Sequence, residues 1–248
     1  MRSTQLDFSI FNKFNFERKP VAIKFSFGKP EGIPRLNKNM RICEMLREAQ
    51  EGSAPFYADS DSFLCAGRSL LGLVDIEDIA PSVSGRLATA LEIFNEPRAA
   101  QKLPLQQPTL PRNTANYISF ATLDKLPFDP DVLILTTKLS QAEILLRAST
   151  YTQGKVWTHK ITPYAACSWI YIYPYISGEL NYTVTGLSFG LKSHEVFPEG
   201  LWLFSLPYNL LPTVIQNLKD MNWVPTAYKL GKVKFEEHLA KIRTELTR

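Results

Sequence analysis

The stretch "PDVLILTTKLSQAEILLRASTYTQG", residues 130–154, decides the fold class. Its first half is a continuous apolar run of strand formers, apolar enough for a strand at the centre of a sheet. Its second half switches to helical periodicity, with Ser140 placed to cap the helix, Glu143 to complete a capping box and Gly154 to end it. Strand, short loop and helix in immediate succession predict a mixed α/β (α+β) architecture.

Outward from this unit the same two periods recur. "KPVAIKFSFGKP" alternates Val21, Ile23, Phe25 and Phe27 with smaller or polar residues, as a half-buried strand does. "RLNKNMRICEMLREAQEG" carries Ile42, Met45, Leu46 and Ala49 at helical spacing, with Gly52 as a stop. "APFYADSDSFL" reads as a short strand running into a polar turn, and "CAGRSLLGL" as a short helix. "VSGRLATALEIFNEPRAAQKLP" reads as a longer helix broken at Pro97. "NYISFATL", "VWTHKIT", "NYTVTGLSF" and "LWLFSLP" are predicted strands, and "YNLLPTVIQNLKDM" and the C-terminal tail predicted helices. "AACSWIYIYPYISGELN" fits either a short helix or a strand. The prolines of "LPLQQPTLPRN" suggest an extended connector, 103–113, between an N-terminal lobe, 1–103, and a C-terminal lobe, 114–248. The expectation is one family-sized domain of two packed lobes, around one or two mixed sheets with flanking helices.

Composition narrows the function classes. A 45% apolar and 21% charged chain of 248 residues has enough material for a core and excludes global disorder. The net charge of +4 is spread along the chain rather than gathered into a stripe, which argues against nucleic acid as a partner. The most basic segment, "YKLGKVKFEEHLAKIRTELTR", places Val233, Leu239, Ile242 and Leu246 at roughly helical intervals and reads as a solvated amphipathic helix. No run approaches the length of a membrane span, and the N-terminus lacks the apolar core of a signal peptide. A cytoplasmic protein with reduced thiols is expected.

The chemistry-bearing residues are the three cysteines, Cys43, Cys65 and Cys167. No Cys-x-x-Cys pair exists, so neither a zinc ribbon nor a thioredoxin-like centre is indicated. Cys43 lies beside the apolar stripe of its helix, where a buried thiol is ordinary. Cys65 stands at a predicted helix start, where free N–H groups favour a thiolate, and Ala66 and Gly67 allow close backbone approach. Cys167 again follows small residues and precedes Ser168. Three thiolates sharing an iron–sulfur cluster would leave one iron open for redox or Lewis-acid chemistry. The competing reading is a non-catalytic small-molecule binding or accessory protein, its pocket walled by Trp169, Tyr171, Tyr173 and Tyr175 with packed cysteines beside it. Gly67, Arg68, Ser168, Asn181 and Gly186 are further candidate pocket residues.

Other nucleophile signatures are weak. His159, His194 and His238 form no metal motif. "GLSFG" has the Gly186, Ser188, Gly190 spacing of a nucleophile elbow, but the residues after it are poor helix formers. The partner is expected to be a small molecule or a redox protein, and the aromatic content is compatible with a homo-oligomer.

Taken in order, "KPVAIKF", a cysteine in the next helix, "FYADSDSFLCAGRSLLGL", "DPDVLILTTKLSQAEILLRASTYTQG", "ACS" followed by "GELNYTVTG", and "LWLFSLPYNLLPTVIQNL" resemble the ArCR family, domain of unknown function 169, of archaea and anaerobic bacteria. The resemblance runs from about Lys19 to Trp223. It implies that Cys43, Cys65 and Cys167 occupy the family's cysteine positions, and it brings no settled activity. This chain departs from the pattern at Arg68, where a second glycine is expected, and at Lys192, where an arginine is expected. It has no fourth cysteine to close a cluster site.

Overall fold

The computed structural model describes residues 6–52, 54–75 and 84–247. Its centre is one six-stranded sheet built from β1 (Val21–Ser26), β2 (Phe56–Ala58), β3 (Tyr117–Thr122), β4 (Val132–Thr137), β5 (Asn181–Val184) and β6 (Trp202–Pro207), in the order β2-β3-β1-β4-β6-β5. Every pairing is antiparallel. The mixed α/β class holds, and the expected one or two mixed sheets are a single antiparallel sheet. Strands from before and after the proline-rich connector interleave in it, since β3 inserts between β1 and β2.

The helices among the described residues are α1 (Ile42–Glu51), α2 (Gly67–Leu70), α3 (Arg86–Ala90), α4 (Pro97–Gln101), α5 (Leu139–Thr150), α6 (Tyr173–Ser177), α7 (Phe189–Ser193), α8 (Leu211–Asp220) and α9 (Lys232–Leu246). They divide between the two faces of the sheet because alternate strand residues point to opposite sides. On one face Val21, Ile23, Val132, Ile134 and Leu203 pack with Ile42, Met45 and Leu46 of α1. On the other, Leu133, Leu135, Phe204 and Leu206 pack with Leu145 and Ala148 of α5 and Val214 and Leu218 of α8. β4 is therefore buried along its whole length, as its continuous apolar run predicts.

Three local expectations are corrected. Helix α5 begins two residues early: Lys138 is its N-cap, and Gln141 rather than Glu143 reaches back, its Oε1 accepting from the Lys138 N–H at 2.8 Å. The predicted long helix of residues 83–104 is two five-residue pieces, α3 and α4, and its first residue lies outside the described residues. "VWTHKIT" forms no strand. It is strapped to the β5 edge by the Asn181 side chain, whose Oδ1 accepts from the Lys160 N–H at 2.9 Å while Nδ2 donates to the Lys160 carbonyl at 2.9 Å. A side chain replaces the strand ladder there, which a period-two pattern cannot reveal.

Candidate functional site: a cavity with three cysteines in its wall

Cys43, Cys65 and Cys167 all line one cavity of about 350 Å³. Three separate pieces of chain bring them together. Cys43 sits in the first turn of α1, which the apolar stripe Ile42, Met45, Leu46 and Ala49 fixes against the sheet. Cys65 lies in the turn after Phe63, and the isolated bridge between Met40 and Phe63 holds that turn beside the entry to α1. The Met40 N–H donates to the Ser62 carbonyl at 2.9 Å and the Leu64 N–H to the Met40 carbonyl at 3.0 Å.

Cys167 precedes a π-helical turn, Ser168–Ile172, a geometry in which one extra residue is wound into the helix. Two residues before it, Ala165 has φ of +55°, a left-handed conformation that a side chain disfavours. The turn is held by Gln107, whose Nε2 donates to the Ser168 Oγ at 2.9 Å and to the Ala165 carbonyl at 3.4 Å.

The walls are mainly aliphatic and aromatic. Leu87 and Leu91 follow from α3 and the turn after it, Leu103 from the stretch after α4, and Tyr164, Ile170 and Phe189 from the C-terminal half. Polar groups are few: Arg41, Gln107, Thr109, Ser188 and His194. Such an apolar cavity with a small number of polar groups is the usual form of a ligand site, and its volume falls at the lower end of the usual range.

The electrostatics follow from burial. Desolvation, the neighbouring Cys65 and the charge of Glu44 push the Cys43 thiol up to about 12. Cys167 is raised as well, by desolvation first and then by Cys65 and Cys43. Tyr171, buried beneath the cysteines with its hydroxyl donating to the Ile42 carbonyl at 3.3 Å, is raised by desolvation and by all three thiols. The charged forms of Cys43, Cys167 and Tyr171 are thus disfavoured by burial.

Of the other expected pocket residues, Gly67 and Tyr171 line the cavity. A Cβ on Gly67 would stand 3.2 Å from the Cys65 Sγ and 3.3 Å from the Ile42 Cγ2, so glycine makes the space for that thiol. Ser168 is buried beside the cavity as the acceptor for Gln107. Asn181 is spent on the β5 edge and on the Trp169 carbonyl, which accepts from its Nδ2 at 2.9 Å. Arg68 and Gly186 are not among the lining residues, and neither are Trp169, Tyr173 and Tyr175. Trp169 instead packs against Tyr173, the Tyr173 hydroxyl donates to Glu179 at 2.8 Å, and Tyr175 lies against Phe25. Within the "GLSFG" stretch a short helix does follow: Ser188 is the N-cap of α7 with ordinary backbone angles, and it lines the cavity together with Gly190 and His194. Arg41, Gln107, Tyr164 and His194 were not legible as site residues, because nothing in their local spacing marks them.

Whether these cysteines suit a metal depends on its size. A single ion draws its sulfur ligands to within about 2.3 Å of one point. Among the described residues no three His, Cys, Asp or Glu side chains form a group that would hold such an ion. Three soft sulfur donors around a roomier apolar space match the donor chemistry of an iron–sulfur cluster, which thiolates hold.

The family described as uncharacterised ArCR, domain of unknown function 169, matches residues 9–217. A relative from Methanocaldococcus jannaschii, called "Uncharacterized protein MJ0308", is 29% identical over 137 residues, which are 54% of this chain and 58% of that protein. The match therefore spans little more than half of either protein. No solved structure matches the chain significantly. No helix among the described residues is long and apolar enough to cross a membrane.

Proposed function

The chain belongs to the ArCR family, and from the convergence of its three cysteines we propose that the cavity holds a prosthetic group of the iron–sulfur type, ligated by Cys43, Cys65 and Cys167. One observation carries this reading. All the cysteines the chain possesses, distant in sequence and borne on three separate elements, open on the same cavity. Such a group would supply one-electron redox or Lewis-acid chemistry at an iron that lacks a fourth cysteine.

The protein's own residues do the rest. The mainly apolar wall would lower the local dielectric around a bound group, which strengthens each charge interaction there. A cationic partner would favour removing the protons of Cys43 and Cys167, because both thiols are raised by desolvation and by the neighbouring Cys65. Loading therefore releases protons. Arg41 and His194 place polar, proton-bearing groups in the same wall, suited to orient a small molecule with an anionic or hydrogen-bonding end.

The test is anaerobic reconstitution of the full chain with iron and sulfide, followed by iron, labile sulfide and zinc determination and a visible spectrum. Bound iron and sulfide with broad visible absorption support the proposal. A colourless, iron-free protein refutes it.

A second reading draws on the raised thiols and the apolar wall together: a protein that binds a mainly apolar small molecule beside the protonated Cys43 and Cys167. It predicts a metal-free protein in which the three Cys→Ala variants retain ligand binding.

A further inference from the structure

Helix α9 has no buried residue, although it runs for 15 residues. A helix of that length is marginal when nothing packs on it. Its base is tied to the body, because the Arg147 guanidinium lies over the Tyr228 ring at 5.8 Å and donates to the Trp223 carbonyl at 2.8 Å. Beyond that anchor Val233 and Leu246 are 73% and 81% exposed, and Ile242 is 37% exposed. The family match ends at residue 217, well before this helix.

Four of the helix's apolar residues are ordered, Phe235 and Leu239 half-buried and Ile242 and Leu246 exposed. Phe235, Leu239, Ile242 and Leu246 are spaced by four, three and four residues, the a/d spacing of a two-helix seam. The charges beside this seam decide what covers it. In an antiparallel pair of α9 helices, Leu239 lies opposite Ile242 of a second copy and Phe235 opposite its Leu246. Glu236 then flanks Arg243 of the second copy, and His238 flanks its Glu245, each relationship occurring twice by symmetry. In the parallel arrangement His238 would flank Arg243 instead, with no attraction. The sequence of this helix is therefore complementary to itself in one orientation.

We propose that α9 is the self-association element of this protein and pairs antiparallel with α9 of a second copy through Phe235, Leu239, Ile242 and Leu246. The occupant of the seam is the same chain, and the interface is isologous. Its small extent makes the dimer a concentration-dependent one.

Sedimentation equilibrium on the full chain tests this at low salt across micromolar concentrations. The wild type should be in monomer–dimer equilibrium. Glu236→Arg places two arginine pairs face to face and should weaken the dimer by about tenfold or more. The double variant Glu236→Arg/Arg243→Glu exchanges the charges and should restore it. Circular dichroism checks that each variant keeps the wild-type helix content. A wild type that stays monomeric overturns the proposal, as does a dimer indifferent to Glu236→Arg or a double variant with unchanged fold that stays dissociated.

Discussion

Gln107 and Ser168 are 61 residues apart in sequence, and their side chains meet at 2.9 Å. This contact ties the segment that covers the cavity to the turn that carries Cys167. Ser168 is fully buried, so the hydrogen bond has no solvent substitute. Gln107→Ala should therefore cost about 1–3 kcal/mol, the usual penalty for stranding a buried hydroxyl. It should also speed the alkylation of Cys167 in the native protein, which thermal unfolding and mass-spectrometric labelling would measure together. Unchanged labelling would show that the cover is held elsewhere.

The raised thiols set a sign for pH dependence. The Cys43 thiol moves from its ordinary value of 9.0 to about 12 in the folded chain. Between those values the unfolded chain has lost a proton that the folded chain keeps, so stability falls as pH rises. Its contribution is complete below pH 9.0 and is lost toward about 12. Cys43→Ala should make the alkaline decline of metal-free protein shallower by at most about 1.4 kcal/mol per pH unit. Urea titrations of both proteins across the alkaline range would measure the difference. Equal slopes would contradict the burial of this thiol.

Asn181 is fully buried and uses both ends of its amide on backbone groups of Lys160 and Trp169. Asn181→Ala leaves three backbone partners unpaired and should destabilise by about 2–4 kcal/mol. The iron content of the reconstituted protein should be unchanged at temperatures where it is folded. A loss of iron with retained stability would instead place Asn181 in the site.

Gly67 tests the site from the opposite direction. A methyl group there would press on the Cys65 Sγ at 3.2 Å and on Ile42 at 3.3 Å, so one of them must shift by a few tenths of an ångström. Gly67→Ala should lower the yield of reconstituted protein while leaving the melting temperature almost unchanged. Full reconstitution would mean that the position of this thiol is not limiting.

Much of the fold was legible where side-chain periodicity and burial coincide. Ile42, Met45, Leu46 and Ala49 are buried as their spacing requires, and the run Val132–Thr137 is central. Strand direction was not legible, because pairing depends on contacts between distant segments. "VWTHKIT" misled because Asn181 supplies its hydrogen bonds from outside the segment. The cysteines were identifiable by residue type, but their convergence depends on the bridge between Met40 and Phe63 and on the turn gripped by Gln107. The aromatic run failed as a pocket wall for a related reason. Only Tyr171 of Trp169, Tyr171, Tyr173 and Tyr175 lines the cavity, since the segment is helical and residues two apart on a helix do not share a face.

The central claim is joint ligation by Cys43, Cys65 and Cys167, and iron and labile sulfide per chain after anaerobic reconstitution measure it most directly. Wild type should be compared with Cys43→Ser, Cys65→Ser and Cys167→Ser, with the fold of each checked by circular dichroism. The account predicts stoichiometric iron and sulfide in the wild type and a marked loss in every single variant. Absence of iron from the wild type, or retention of full iron by any folded variant, would contradict it.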